Sequence, residues 1–183
     1  MKYLPNIITI SRMIATLILL CIQPLSSLFF IIYTLAGCSD VLDGWIARKW
    51  NLISNFGSKL DSIADLLFYS ITTILCFPTY WSVFPTTVWF CVLSVILIRI
   101  ISYSYSWFKY KTFSSLHTYM NKAAGFSVFM IPYFVLTSYG KLWVSLSCLV
   151  NLMASFEELL IHIFAKEYNV KNQSILKLFT LSK

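Results

Sequence analysis

Four aspartates, Asp40, Asp43, Asp61 and Asp65, fall within 26 residues of a chain that has only seven acidic side chains in all. Spacings of three and four residues put Asp40 with Asp43, and Asp61 with Asp65, on single helical faces. Two such faces meeting across a short turn would gather four carboxylates. Carboxylates that close repel one another and require a cation among them. Clustered oxygen donors suit hard divalent ions such as Mg²⁺, which are held by carboxylates together with substrate phosphates. Two such ions a few ångströms apart serve displacement at phosphorus. The chemistry indicated is metal-assisted transfer on a phosphate-bearing substrate.

The elements that must carry these residues are membrane helices. The chain has 183 residues, 58% of them hydrophobic and 11% charged, and a mean hydropathy of +0.76. A soluble domain would carry about 25% charge. One domain over 1–183 is expected, with no room for a separate soluble module. A span needs about 20 apolar residues, and six stretches qualify: 5–22, 25–47, 58–77, 83–107, 119–139 and 142–164. Turn chemistry separates them in "QPLSS", "FPTYWSVFP" and "TSYGK". The expected fold is an all-α, polytopic integral membrane bundle of six transmembrane helices, because backbone polar groups in a bilayer must pair within their own segment. The first stretch is expected to be a retained helix rather than a cleaved leader, since Arg12 lies in its middle and no small-residue cleavage site follows.

Charge sets the orientation. Of the 14 Lys and Arg residues, 13 fall at or near one face and only Lys141 falls on the other. The positive-inside rule then makes both termini, and the loops after the second and fourth spans, cytoplasmic. The net charge of +7 reports this asymmetry and contact with anionic lipid headgroups, with no nucleic-acid partner expected. Tyr80, Trp81, Trp89, Trp107 and Trp143 sit near span ends, where aromatic belts form. Cys21, Cys38, Cys76, Cys91 and Cys148 are scattered singly, as packing residues are. The aspartates thus straddle the turn between spans two and three, at the boundary of membrane and cytosol. Gly37, Gly44, Ala47 and Gly57 surround them. Residues this small permit either close approach of a ligand or close packing of helices. Arg48 suits a phosphate or an inside-facing anchor equally.

The pattern Asp40-x2-Asp43-Gly44-x2-Ala47-Arg48-x8-Gly57-x3-Asp61-x3-Asp65 resembles, at every fixed position, the motif of the CDP-alcohol phosphotransferase (phosphatidyltransferase) family. "LPNIITISR" is similar to the N-terminal helix of its bacterial phosphatidyl-transferring members. The resemblance implies transfer of a phosphatidyl group from CDP-diacylglycerol to a small alcohol, with release of CMP. It implies that Asp40, Asp43, Asp61 and Asp65 hold two divalent ions, Mg²⁺ or Mn²⁺, and that Asp65 is also the catalytic base. It implies a nucleotide pocket built by Asp40, Gly44, Ala47, Arg48, Gly57 and Asp61, and a homodimer in the cell membrane with its site open to the cytoplasm. Compact length and the N-terminal stretch look like the phosphatidylglycerophosphate-forming members. Ser62 and Leu66 stand where those members carry a proline and a lysine, and Ser62 looks more like the serine-using members. Glycerol-3-phosphate is the first acceptor expected, with serine or inositol phosphate as alternatives.

An acceptor pocket is expected from spans four and five, where Arg99, Lys109, Lys111, His117, Asn121 and Lys122 are available. Arg99 leads, because an arginine within a membrane segment marks function by default, and Lys109 and Lys122 join it as acceptor-binding candidates. Glu157 and Glu158 are assigned no chemistry and expected to be structural. The rival class is a divalent-cation transporter, which would need acidic groups through the membrane depth. All four aspartates lie at one side, which favours the transferase. A lipid-binding relative without catalysis would have no use for the full aspartate set.

Overall fold

The computed structural model describes residues 4–50, 55–111 and 118–164. Every regular element among them is helical: α1 (Leu4–Ile18), a 3₁₀ turn (Leu19–Cys21), α2 (Ser27–Lys49), α3 (Asn55–Val83), α4 (Thr86–Tyr110), α5 (Tyr119–Phe129), α6 (Ile131–Phe134) and α7 (Gly140–Phe164). The chain divides into two compact units, Met1–Ser82 and Val83–Lys183.

In the first unit, α1 and α2 run antiparallel, as their paired contacts show: Arg12 meets Asp40, and Thr9 meets Asp43 one turn along. The buried stripe of α1 is Thr9, Arg12 and Thr16, at helical spacing. Its counterpart on α2 runs through Phe29, Tyr33, Ala36 and Asp43. On α3, Ala64, Phe68, Thr72 and Cys76 recur every four residues and face inward. Tyr33 stacks between Phe29 (centroids 5.7 Å) and Phe68 (5.0 Å), which ties α2 to α3. The hydroxyls that these apolar helices bury are satisfied locally. Thr16 donates to the carbonyl of Arg12 at 2.8 Å and Thr72 to that of Phe68 at 2.7 Å, so these two hydroxyls need no partner outside their own helix.

In the second unit α7 packs against α4 and α5 through small residues. Ser102 and Ser106 of α4, Ala124 and Ser127 of α5, and Ser147, Ala154 and Ser155 of α7 are all buried. Small side chains let membrane helices approach closely. The carbonyl of Ser127, in the last turn of α5, has lost its helical partner. It accepts instead from Trp143 Nε1 at 3.1 Å and Ser147 Oγ at 3.2 Å, both on α7.

Four of these helices are long and apolar enough to cross a membrane: Ser27–Ile46, Ile63–Val83, Thr86–Tyr110 and Gly140–Phe164. Their outer faces expose Leu35, Leu66, Ile74, Phe90 and Phe108, a surface suited to lipid rather than water. The other two expected spans take different forms. The first is a 15-residue helix extended by one 3₁₀ turn. The fifth, read as continuous over 119–139, breaks after Phe129 and restarts as the four-residue α6. Pro132 lies in the first turn of α6, where its missing N–H leaves no helical bond unmade.

Gly140 opens α7 against the end of α6. A Cβ there would lie 2.5 Å from the carbonyl oxygen of Phe134 and 2.8 Å from that of Val135. Gly140→Ala is therefore expected to destabilise by about 1–3 kcal/mol. Gly125→Ala, whose Cβ meets nothing within 4 Å, should be neutral or stabilising by up to about 1 kcal/mol. Thermal unfolding in detergent compares them, and equal midpoints would contradict the close approach.

Candidate functional site

The aspartates converge on an arginine. Arg12, on α1, is 2% exposed. Its Nη1 donates to Asp40 Oδ1 and lies 3.2 Å from Asp65 Oδ1, while Nη2 donates to Asp61 Oδ1 at 2.6 Å. Nη2 also reaches the backbone carbonyl of Asp61 at 3.4 Å. One guanidinium therefore joins α1 to α2 and α3. The side chains of Asp40, Asp61 and Asp65 are 44%, 45% and 46% exposed, so the carboxylates have a buried cation behind them and an open side in front. One oxygen from each lies within 4.8 Å of the others.

This donor set fits a divalent metal ion. It offers hard oxygen ligands, it is open to a phosphate-bearing ligand, and among the described residues it sets three carboxylates against one guanidinium. The fourth aspartate is held differently. Asp43 is buried, and its Oδ2 accepts from the hydroxyl of Thr9 at 2.8 Å, so the structure groups three of the expected four carboxylates and sets Asp43 against α1. Gly44 follows it on α2 and Gly57 stands near the start of α3, both half-buried. Ala47 and Arg48 continue α2, but their side chains lie outside the described residues.

The acceptor candidates belong to the second unit, and they separate. Arg99 Nη2 donates to Asn121 Oδ1 at 3.2 Å and Nη1 to the Tyr103 hydroxyl at 3.3 Å. Lys109 is engaged elsewhere: its ammonium donates to the carbonyls of His162 (2.9 Å) and Ile163 (2.8 Å). Those carbonyls lie in the last described turn of α7. Tyr110 adds its hydroxyl to the same His162 carbonyl at 3.1 Å. Lys122 is exposed, with its ammonium 5.8 Å from the Tyr119 ring. Lys111 closes α4 in the left-handed conformation. His117 lies outside the described residues. Glu158, to which no chemistry was assigned, is fully buried and accepts from Asn121 Nδ2 at 3.2 Å.

A family model described as CDP-alcohol phosphatidyltransferase matches residues 2–156. The chain belongs to that family. Among curated relatives, it is 41% identical over 80 residues to a protein of Rickettsia typhi named CDP-diacylglycerol--glycerol-3-phosphate 3-phosphatidyltransferase, covering 41% of this chain and 45% of that one. It is 38% identical over 65 residues to the probable CDP-diacylglycerol--inositol 3-phosphatidyltransferase 2 of Arabidopsis thaliana, covering 34% and 28%. Over 105 residues it is 33% identical to the human cardiolipin synthase (CMP-forming), covering 55% and 34%. The chain spans less than half the length of each of these relatives. No solved structure matches it.

Arg12 and Thr9 are the site residues that the sequence did not single out. In the sequence Arg12 stands as an inside-facing cation in the middle of the first apolar stretch and carries no site role. The available signal was their spacing: Thr9 and Arg12 repeat the three-residue step of Asp40 and Asp43 on the neighbouring helix. Arg12→Met would leave the three carboxylates facing one another without their cation. Charged hydrogen bonds of this kind are worth about 1.5–3 kcal/mol each. A lower thermal midpoint is expected, with a smaller loss at high ionic strength because screening weakens the repulsion. A midpoint equal to the parent's would show that solvent, not Arg12, neutralises the cluster.

Proposed function

We propose that this protein transfers the phosphatidyl group of CDP-diacylglycerol to glycerol-3-phosphate and releases CMP. The observation that carries the reading is the convergence of Asp40, Asp61 and Asp65 on open carboxylate edges in a chain of the CDP-alcohol phosphatidyltransferase family. Relatives named for the glycerol-3-phosphate reaction support the choice of acceptor.

In this reading the acceptor hydroxyl oxygen attacks the phosphorus that bears the diacylglycerol. The bond from that phosphorus to the CMP phosphate oxygen breaks, and the hydroxyl proton passes to Asp65. Asp40, Asp43, Asp61 and Asp65 would hold two Mg²⁺ or Mn²⁺ ions, which would neutralise the diphosphate and the charge growing on CMP. Arg12 keeps Asp40, Asp61 and Asp65 aligned from behind. Gly44 and Gly57, lacking side chains, let cytidine approach α2 and α3, with Asp40, Asp61, Ala47 and Arg48 completing the nucleotide pocket. Arg99 binds the acceptor phosphate through a charge-assisted contact, with Lys122 as a second cation. Lys109 is the weakest of the three acceptor candidates, because α7 already occupies it.

The whole chain acts as one domain in a homodimer in the cell membrane. The helix pair of α1 and its 3₁₀ turn, and the broken pair α5 and α6, serve as the first and fifth of six spans, and both termini and the site are cytoplasmic. What supports this orientation is the 13-to-1 distribution of basic residues.

The test is CMP release from CDP-diacylglycerol and Mg²⁺ by purified protein, with glycerol-3-phosphate, serine, inositol phosphate and inositol offered one at a time. Release with glycerol-3-phosphate alone is expected, and Asp65→Ala should lower it about 10²–10⁴-fold. Release with another acceptor would reassign the substrate. Silence with all four, together with Asp40-dependent metal flux into vesicles, would replace the transferase with a transporter.

A further inference from the structure

Glu158 lies at 0% exposure on α7, a helix long and apolar enough to span a membrane. A carboxylate in that setting is costly unless it is paired and hydrogen-bonded. Its Oε2 accepts from Asn121 Nδ2 at 3.2 Å and stands 4.0 Å from Arg99 Nη1. Asn121 Oδ1 in turn accepts from Arg99 Nη2 at 3.2 Å. Three helices thus contribute one residue each to a chain of contacts that runs from a buried carboxylate, through an amide, to a guanidinium.

The order of groups in this chain gives it a direction. A carboxylate only accepts hydrogen bonds and a guanidinium only donates them, whereas an amide has one end of each kind. The Asn121 amide can therefore satisfy both neighbours in one orientation and neither in the other. Glu158 fixes the amide, and the amide fixes Nη2 of Arg99. The Tyr103 hydroxyl receives Nη1 at 3.3 Å, so the plane of the guanidinium is set at two of its nitrogens. The Arg99 side chain remains 29% exposed, and its remaining N–H donors have no partner among the described residues.

We propose that Glu158 is a positioning residue which, through Asn121, orients Arg99 to bind the phosphate of the acceptor. This rests on the acceptor role proposed above for Arg99. Orientation matters because a guanidinium recognises phosphate through a planar fork of donors, and a fork held in place loses less on binding. The helices around it would pack without such a device, since small apolar and hydroxyl side chains line their contacts.

Glu158→Gln keeps the shape of the side chain but removes its charge and presents an amide that donates as readily as it accepts, so that Asn121 is then ordered by Arg99 alone and Arg99 loses its fixed support. Two readouts are needed: glycerol-3-phosphate binding by isothermal titration, and CMP release at varied acceptor and donor. In Glu158→Gln the acceptor Kd and KM should both rise about tenfold, with kcat at saturating acceptor and the KM for CDP-diacylglycerol within about twofold of the parent. Adding Arg99→Ala should raise the acceptor KM no further than Arg99→Ala does alone. The double substitution E158Q/N121D restores a fixed order, because the new carboxylate accepts from both sides, and it should recover most of the lost affinity.

Three results overturn the proposal: an unchanged acceptor Kd in Glu158→Gln, additivity with Arg99→Ala, or equal losses for donor and acceptor with a lowered thermal midpoint. The last is what a purely structural Glu158 would give. If Glu158→Gln cannot be purified, Asn121→Leu interrupts the same chain, and the same Kd and KM changes are expected of it. Parent protein that binds glycerol-3-phosphate in a Glu158-dependent way but releases no CMP would leave the positioning role standing and refute the proposed reaction. Parent protein that does not bind glycerol-3-phosphate at all would end the positioning proposal, whatever acceptor supports turnover.

Discussion

A buried guanidinium shared by three carboxylates holds the first unit together at its charged end. Arg12 has no access to water, so its charge must be met by protein, and Asp40 and Asp61 meet it through direct hydrogen bonds with Asp65 at 3.2 Å. Removing the partners of a buried charge typically costs about 3–5 kcal/mol, so the helices that carry these aspartates cannot separate without stranding it. The same constraint shapes the site. Each carboxylate is turned so that one edge faces Arg12, and its half-exposed remainder faces outward. A cluster that had only to neutralise one arginine would need one carboxylate. The excess negative charge is what a divalent cation would complement.

The aspartates and the helices were legible in the sequence for the same reason: both stand out against composition. Four acids in a chain with seven are conspicuous, and apolar stretches of the required length can hardly be anything but helices in lipid. Arg12 was not legible, because a single cation within an apolar stretch reads equally well as an orientation signal. Its role depends on α1 lying antiparallel to α2, which spacing alone does not dictate. Asp43 shows the converse. Its spacing matches that of the other aspartates, yet a threonine on the facing helix takes its oxygen. The break in the fifth segment was marked by Pro132, but the surrounding apolar run masked it. Asn121 and Glu158 lie 37 residues apart, too far for any local pattern to pair them.

The second unit follows the same physical rule with different groups. In a bilayer, unpaired polar atoms have no water to turn to, and several here are met by neighbouring helices, although Ser102 Oγ and His162 Nε2 are buried without a hydrogen-bond partner among the described residues. Lys109 and Tyr110 cover the terminal carbonyls of α7, and Trp143 and Ser147 cover the carbonyl left at the end of α5. Glu158 is covered by Asn121 with Arg99 beside it. Of these cations, Lys109 is exposed but its ammonium is taken up by two backbone carbonyls, while the half-buried Arg99 meets only side-chain partners, on α4, α5 and α7. That difference in partnering, rather than charge or exposure as such, separates a structural cation from a candidate ligand for phosphate.

In the proposed reading Asp40, Asp61 and Asp65 form a seat for divalent metal ions with Arg12 as its support. Titration of Mn²⁺ into the purified protein, followed by the loss of the free-ion electron paramagnetic resonance signal, measures this without requiring turnover. Saturable binding is expected that Mg²⁺ displaces and that weakens at least about tenfold in Asp40→Asn and in Asp61→Asn, because each removes one charged oxygen ligand. Mn²⁺ binding of equal strength in the parent and in the D40N/D61N double variant would contradict it.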